Sequence, residues 1–271
     1  MTGNRALLPW LLPLLLFSVV FLALPIARLV TSSVSGEEGV WIYRTILTSP
    51  RYLQTLLNTF LVSALVTVTA LFIATVAGLF LARHRFPGRN LLVASLTFPL
   101  AFPGVVVGFL IILLGGRQGL VNDISKSLFD TRVVFAYSSL GLFLGYLYFS
   151  IPRVLLTVMA AAEKLDRSLE EAARSLGAPG YRLALDVILP GLRPALIASG
   201  AIVFATSMGA FGTAFTLATK IDVLPMVIYT EFTLSANIAM ACALSVVLGL
   251  LTWASLLIAR AFAGGSVAAA G

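Results

Sequence analysis

The sequence predicts an all-α integral membrane protein that crosses the bilayer six times and keeps both termini in the cytoplasm. Three observations carry this. Hydrophobic residues make up 59% of the 271 positions and charged residues 11%, against about 25% charged in soluble domains. Six stretches of 20 or more residues contain no Asp, Glu, Lys or Arg: 6–27, 52–82, 90–116, 133–152, 194–219 and 232–259. The Lys and Arg between them are unevenly shared, seven on one side and eleven on the other.

Each observation also excludes something. A chain this apolar can neither wet a globular surface nor stay disordered. Glycine lacks a three-residue period, and a single Cys242 rules out a disulfide scaffold. The net charge of +7 does not point to nucleic acid, because in a membrane protein the placement of positive charge matters more than its total. A hydrocarbon core of roughly 30 Å needs about 20 helical residues, so each window can cross once. Barrel strands would be short and alternating, unlike the continuous runs Leu11–Leu16 and Val105–Leu114.

The elements follow in order. The first window starts after Arg5, contains Pro9, Pro13 and Pro25, and ends at Arg28 without a small-x-small site. It is longer than a secretory h-region and reads as an uncleaved helix, with a signal anchor as its equivalent. Residues 31–51 form an outer connection with a turn at Gly36–Gly39, and Trp41 and Tyr43 suit an interfacial belt. The turn Arg83-His84-Arg85-Phe86-Pro87-Gly88-Arg89 holds three arginines in seven residues and marks the inner side. Residues 115–132 and 218–236, the latter with Pro225 and Glu231, are the other outer loops. Lys220 is counted with them and Arg260 with the inner side. The longest polar stretch runs from Ala161 to Arg193, inside.

Catalytic chemistry and metal binding have little to work with. His84 lies between two arginines, and Cys242 is mid-span and reads as a small buried residue. A zinc site needs at least three protein ligands. Glu170 and Glu171 are adjacent on a helix and point about 100° apart, which makes no acid–base pair. A Walker-type phosphate loop is absent. No catalytic residue, metal ligand or bound cofactor is expected, and the energy must come from elsewhere.

The most informative stretch is Glu163 to Gly177. Leu165, Leu169, Ala172, Ala173 and Leu176 recur at helical spacing on one face. Glu163, Lys164, Asp166, Arg167, Glu170 and Arg174 take the polar side. Gly177 suits a left-handed cap and Pro179 follows. A second short segment, Tyr181–Leu189, then leads to Pro190, Pro194 and the fifth span. The pattern fits a helix–turn–helix elbow, or an amphipathic helix lying on the inner leaflet.

Glu171-Ala172-Ala173, three residues, Gly177, nine residues, then Val187, Leu189 and Pro190 resembles the EAA loop of binding-protein-dependent ABC importer permeases. Val187 replaces the usual isoleucine. The resemblance covers about residues 54–262 and implies the type I importer permease fold in a bacterial inner membrane. Residues 1–53 would then be an added N-terminal span with its periplasmic connection. Residues 54–262 would be a five-span core with the EAA loop at 161–193, and 263–271 a flexible tail. The implied partners are an ABC ATPase dimer that uses ATP and Mg, a second permease subunit (identical or homologous) and a periplasmic solute-binding protein. Ile151-Pro152-Arg153, Glu163-Lys164-Leu165-Asp166, Leu176-Gly177-Ala178 and Gly209-Ala210-Phe211-Gly212 are similar to the spermidine/putrescine branch, which implies a polyamine solute. Iron(III), a phosphonate such as 2-aminoethylphosphonate, and thiamine are the alternatives within that branch.

The resemblance implies alternating access, with Leu169, Glu171, Ala172, Ala173, Leu176, Gly177 and Pro190 coupling the chain to the ATPase. Pathway candidates are small or polar residues within apolar spans: Asn58 and Thr59; Pro99, Pro103 and Gly104; Ser207, Met208, Gly209, Gly212 and Thr213. Close helix packing is the other reading of each. Arg153, roughly 15 Å along a helix from Glu163, should face the bundle near the inner mouth of the pathway or snorkel. A channel or secondary carrier would need intramembrane acids or histidines, and the six windows hold none. A membrane-embedded enzyme would need polar catalytic groups at a common depth, and only Arg153 lies within a span as a charge.

Overall fold

All regular structure among the described residues is helical, as a bilayer demands of a chain that cannot close a barrel. The computed structural model describes residues 8–217 and 221–263. Arg5, Lys220 and the tail beyond Ala263 lie outside the described residues. Six helical stretches are long and apolar enough to cross a membrane: Leu11–Ser33, Pro50–Arg83, Gly104–Phe129, Ser139–Glu163, Gly180–Met208 and Ile238–Phe262. The six-span expectation therefore stands, with corrections at the breaks and loops.

Proline explains most of these corrections. The window 90–116 is not one helix: Arg89–Thr97 gives way to a 3-10 turn at Phe98–Ala101, and a new helix starts at Gly104 after Pro103. Pro99 and Pro103 remove two donors and disfavour the helical conformation of the residue before each, so they break the span. Tyr181–Leu189 is not a separate segment; Gly180 to Met208 is continuous, with a π-helical stretch at Leu183–Ile188. That wide turn ends two residues before Pro190, where the missing N–H and the ring would otherwise clash with the preceding carbonyl. The first span repeats the arrangement, with a π stretch at Val19–Ala23 ahead of Leu24-Pro25.

The loops expected on the outer side are also more ordered than the sequence suggested. Helices occupy Ile42–Thr48, Leu120–Phe129 and Leu224–Thr233. Gly39 makes the expected turn with φ +53°.

The described residues form two compact units, one from 8–54 and 227–250, the other from 55–217, 221–226 and 251–263. In the first, Ile42 and Ile46 are buried, the Tyr43 hydroxyl lies 2.7 Å from Ser33 Oγ, and Trp41 is exposed. The Glu231 carboxylate, buried, pairs with Arg51 at 3.3 Å and accepts from the Tyr52 hydroxyl at 3.2 Å. A carboxylate expected in an outer loop is thus held by the start of the second span.

The second unit is built around Ser139–Glu163, half of whose apolar window is buried; the first span's window has no buried residue. Leu142, Tyr146, Val154, Leu155 and Val158 fill the interior between Gly104–Gly115 and Leu189–Met208. Tyr146 donates its hydroxyl to the Ala210 carbonyl at 2.8 Å, at the point where the helix ending at Met208 stops and Phe211–Leu217 begins. Tyr146→Phe should lower the unfolding midpoint of the detergent-solubilised chain by a few degrees, the loss of about 1 kcal/mol. The exposed Tyr181→Phe should leave it unchanged, and equal behaviour of the two would remove Tyr146 from this role.

Candidate functional site

The elbow helix spans Arg167–Ser175. It starts later than the periodicity suggested, because Asp166 caps it: its carboxylate accepts the Ser168 N–H at 2.9 Å. That hydrogen bond holds the Asp166 carboxyl below its usual range. The stabilising contribution is present above about pH 4 and is lost as pH falls through the lowered value. Leu165 is consequently not on the helix face; it lies in the preceding turn and packs on the core of the second unit. At the other end, Gly177 has φ +77° and its N–H reaches the Arg174 carbonyl at 2.9 Å. The Ala178 N–H reaches the Ala173 carbonyl at 3.0 Å, which completes a Schellman cap. A Cβ at Gly177 would touch nothing within 4 Å, so the requirement for glycine here is conformational alone.

The apolar residues of this helix face outward. Leu169 is 59% exposed and Leu176 89%; Ala172 and Glu171 are exposed and Ala173 is half-buried. Glu170, expected on the solvated polar side, is buried and paired with Arg83. Desolvation is tolerable there because an opposite charge meets it. Arg89 adds a second tie, its Nε donating to the Leu81 carbonyl at 2.7 Å and its guanidinium 3.8 Å from Glu163. The arginine-rich turn thus anchors both the elbow helix and the end of the fourth span. Arg83 and Arg89 were visible in the sequence; their partners, 87 residues away for Arg83 and Glu170, were not. Pro190 is exposed at the second position of Leu189–Met208.

The pathway candidates do not gather at one place. Asn58 donates to the Asp222 carbonyl at 3.4 Å, and Thr59 Oγ1 accepts the Leu224 N–H at 2.8 Å; both tie the second span to residues 222–224. Ser207 and Met208 are fully buried. Gly209 ends the helix, its N–H on the Ala205 carbonyl. Gly104, Gly212 and Thr213 do converge, with Pro99, Phe149 and Arg153, around an open cavity of about 240 Å³. Close packing and the cavity share these residues: Thr213 Oγ1 donates to the Gly104 carbonyl at 3.0 Å, and a Cβ on Gly212 would stand 3.0 Å from the Val105 nitrogen. Pro103 is exposed and caps the helix beginning at Gly104. Cys242 is half-buried rather than buried.

Residues 70–265 match the family described as binding-protein-dependent transport system inner membrane component. The chain belongs to that family. Among curated relatives, the permease is 31% identical over 250 residues to the putative 2-aminoethylphosphonate transport system permease protein PhnU of Salmonella typhi, covering 90% of this chain and 86% of the relative. It is 35% identical over 212 residues to the sulfate transport system permease protein CysT of Escherichia coli K12, covering 76% and 73%. With the molybdenum transport system permease protein ModB of the same strain it shares 34% over 189 residues, covering 68% and 81%. The crystal structure of a bacterial alginate ABC transporter, in complex with an alginate pentasaccharide-bound periplasmic protein, has a chain of the same fold. Its TM-score is 0.81 at 18% identity, over 95% of this permease and 93% of that chain.

The buried pair in the permease gives a direct test. Glu170→Ala strands Arg83 and should cost about 3 kcal/mol, seen as a lower unfolding midpoint and faster proteolysis of the elbow. The double variant Arg83→Leu/Glu170→Leu should regain most of that loss. Exposed Glu171→Ala should leave the midpoint within about 0.5 kcal/mol of the original.

Proposed function

We propose that this permease is the membrane subunit of an ATP-driven importer that passes a small solute from a periplasmic binding protein to the cytoplasm by alternating access. The single observation that carries the reading is the outward apolar face of the elbow: Leu169, Ala172 and Leu176 exposed, and Ala173 half-buried, on a helix pinned from behind by Glu170 and Arg83. Small side chains let a partner helix or groove approach closely, and the pinned back passes a push into the bundle. The partner is an ABC ATPase dimer, which binds ATP and Mg; this chain supplies no catalytic residue. A second permease subunit completes the pathway. Both termini lie in the cytoplasm, with residues 31–51, 115–132 and 218–236 outside, in keeping with the arginine bias.

The solute reading is phosphonate-like. The relatives' names carry a phosphonate, sulfate and molybdenum, which supports the phosphonate alternative and gives the polyamine expectation no support. A secondary carrier or membrane-embedded enzyme is the rival class. Co-purification decides between them: an importer permease brings down an ATPase.

Ala173→Trp, Glu171→Lys and Gly177→Val should each abolish uptake while the protein stays in the membrane, with ATPase association weakened or hydrolysis no longer linked to solute. Gly177→Val acts through the left-handed backbone, a cost of roughly 1–2 kcal/mol for a residue with a Cβ. A helix lying on anionic lipid would instead tolerate Glu171→Lys, so full uptake by that variant sinks the coupling role. Reporter fusions at Gly88 and Gly119 should give opposite readings; equal readings contradict the six-span orientation.

A further inference from the structure

We infer that Arg153 and the cavity beside it form a transit site for an oxyanion, the guanidinium holding the solute partway across the membrane. The inference rests on the importer reading above and assigns it a site. Arg153 follows Pro152 in Ser139–Glu163, a helix of which half the apolar window is buried. Its guanidinium lies over the Phe149 ring, 5.6 Å from the centroid. Among the described residues no carboxylate pairs with it. An unpaired guanidinium charge at this depth is costly. The chain has not buried it in packing; it has left the charge at an open cavity of about 240 Å³. That space is far above the roughly 10–15 Å³ needed to admit one water.

The rest of the lining settles the sign of the ligand. Pro99, Phe102, Gly104, Phe149, Thr206 and Gly212 contribute no Asp or Glu. Two backbone acceptors at the helix breaks are already engaged, Ala210 by the Tyr146 hydroxyl and Gly104 by Thr213. A cation entering here would meet a like charge and find these acceptors taken. An oxyanion would meet the fork of N–H donors that guanidinium presents to carboxylate, phosphate and sulfate groups. The Phe149 ring, 5.6 Å away, attracts the cation without engaging its N–H donors, which stay available to the solute.

Two measurements on the assembled importer test this. In a Cys242→Ser background, Thr206→Cys should react about tenfold faster with an anionic, sulfonate-bearing methanethiosulfonate than with a cationic, trimethylammonium-bearing one. Arg153→Gln should abolish that preference and Arg153→Lys should keep part of it. A preference unchanged in Arg153→Gln, or one for the cationic reagent from the outset, overturns the site. In proteoliposomes with binding protein and ATPase, uptake of 2-aminoethylphosphonate should fall about tenfold or more in Arg153→Gln, with ATPase association retained. Wild-type 2-aminoethylphosphonate uptake by Arg153→Gln, or spermidine uptake by the unaltered importer that exceeds its 2-aminoethylphosphonate uptake, also counts against it. Failure of any ATPase to co-purify defeats the importer reading instead, and the labelling result still decides the site.

Discussion

A polypeptide inside hydrocarbon must satisfy its own backbone, and this molecule does so unevenly. Where spans are continuous the helix ladder suffices. At the two interruptions within the second unit, 98–103 and 209–210, the ladder is broken and side chains reach across to the backbone at the edges of the breaks. Tyr146 covers Ala210, and Thr213 covers Gly104. The bond from Thr213 to Gly104 ties the two breaks to each other, and Tyr146 ties the second of them to the fourth span. That juxtaposition leaves the cavity at Arg153, so the side-chain bonds made to the backbone at the two breaks help to shape that space.

The same unit holds the elbow, and the two regions share a helix. Ser139–Glu163 carries Tyr146 and Arg153 along its length and ends at Glu163, which faces Arg89. Arg83, at the end of the second span, grips Glu170 in the elbow helix. A displacement of Arg167–Ser175 therefore reaches the second and fourth spans through charged contacts and the fifth through the chain itself. Buried ion pairs add little net stability against an apolar alternative; their value here is directional, since an ion pair fixes which residues must move together.

Periodic information was legible in the sequence and long-range information was not. Six charge-free windows announced six spans because the bilayer selects on length and polarity alone. Gly177 followed by Pro179 announced the helix end, since only one kind of backbone closes that way. Glu170 misled, because a local pattern sees its charge and not Arg83. Leu165 misled for a subtler reason: it obeys the helical spacing, yet Asp166, two residues before Ser168, carried the capping signal that starts the helix afterwards. Pro99 and Pro103 were visible as irregularities, but whether a proline kinks or breaks a helix depends on what stands ready to bond the freed carbonyls. For Asn58 and Thr59 the sequence could not separate a pathway role from the loop attachment they make.

The π-helical stretch at Leu183–Ile188 has a mechanical consequence. It lies between the elbow and the membrane portion of the fifth span, directly ahead of Pro190. A wide turn has poorer hydrogen bonding than the α-helix around it, and proline removes a further bond. Bending stiffness is therefore lowered here, and again at Pro194, along a rod of 29 residues. A rod with compliant turns still carries compression along its axis while tolerating a change of angle at the joints. A tilt of the fifth span against the elbow helix would be taken up first at these turns, without the helix beyond Pro194 having to unwind.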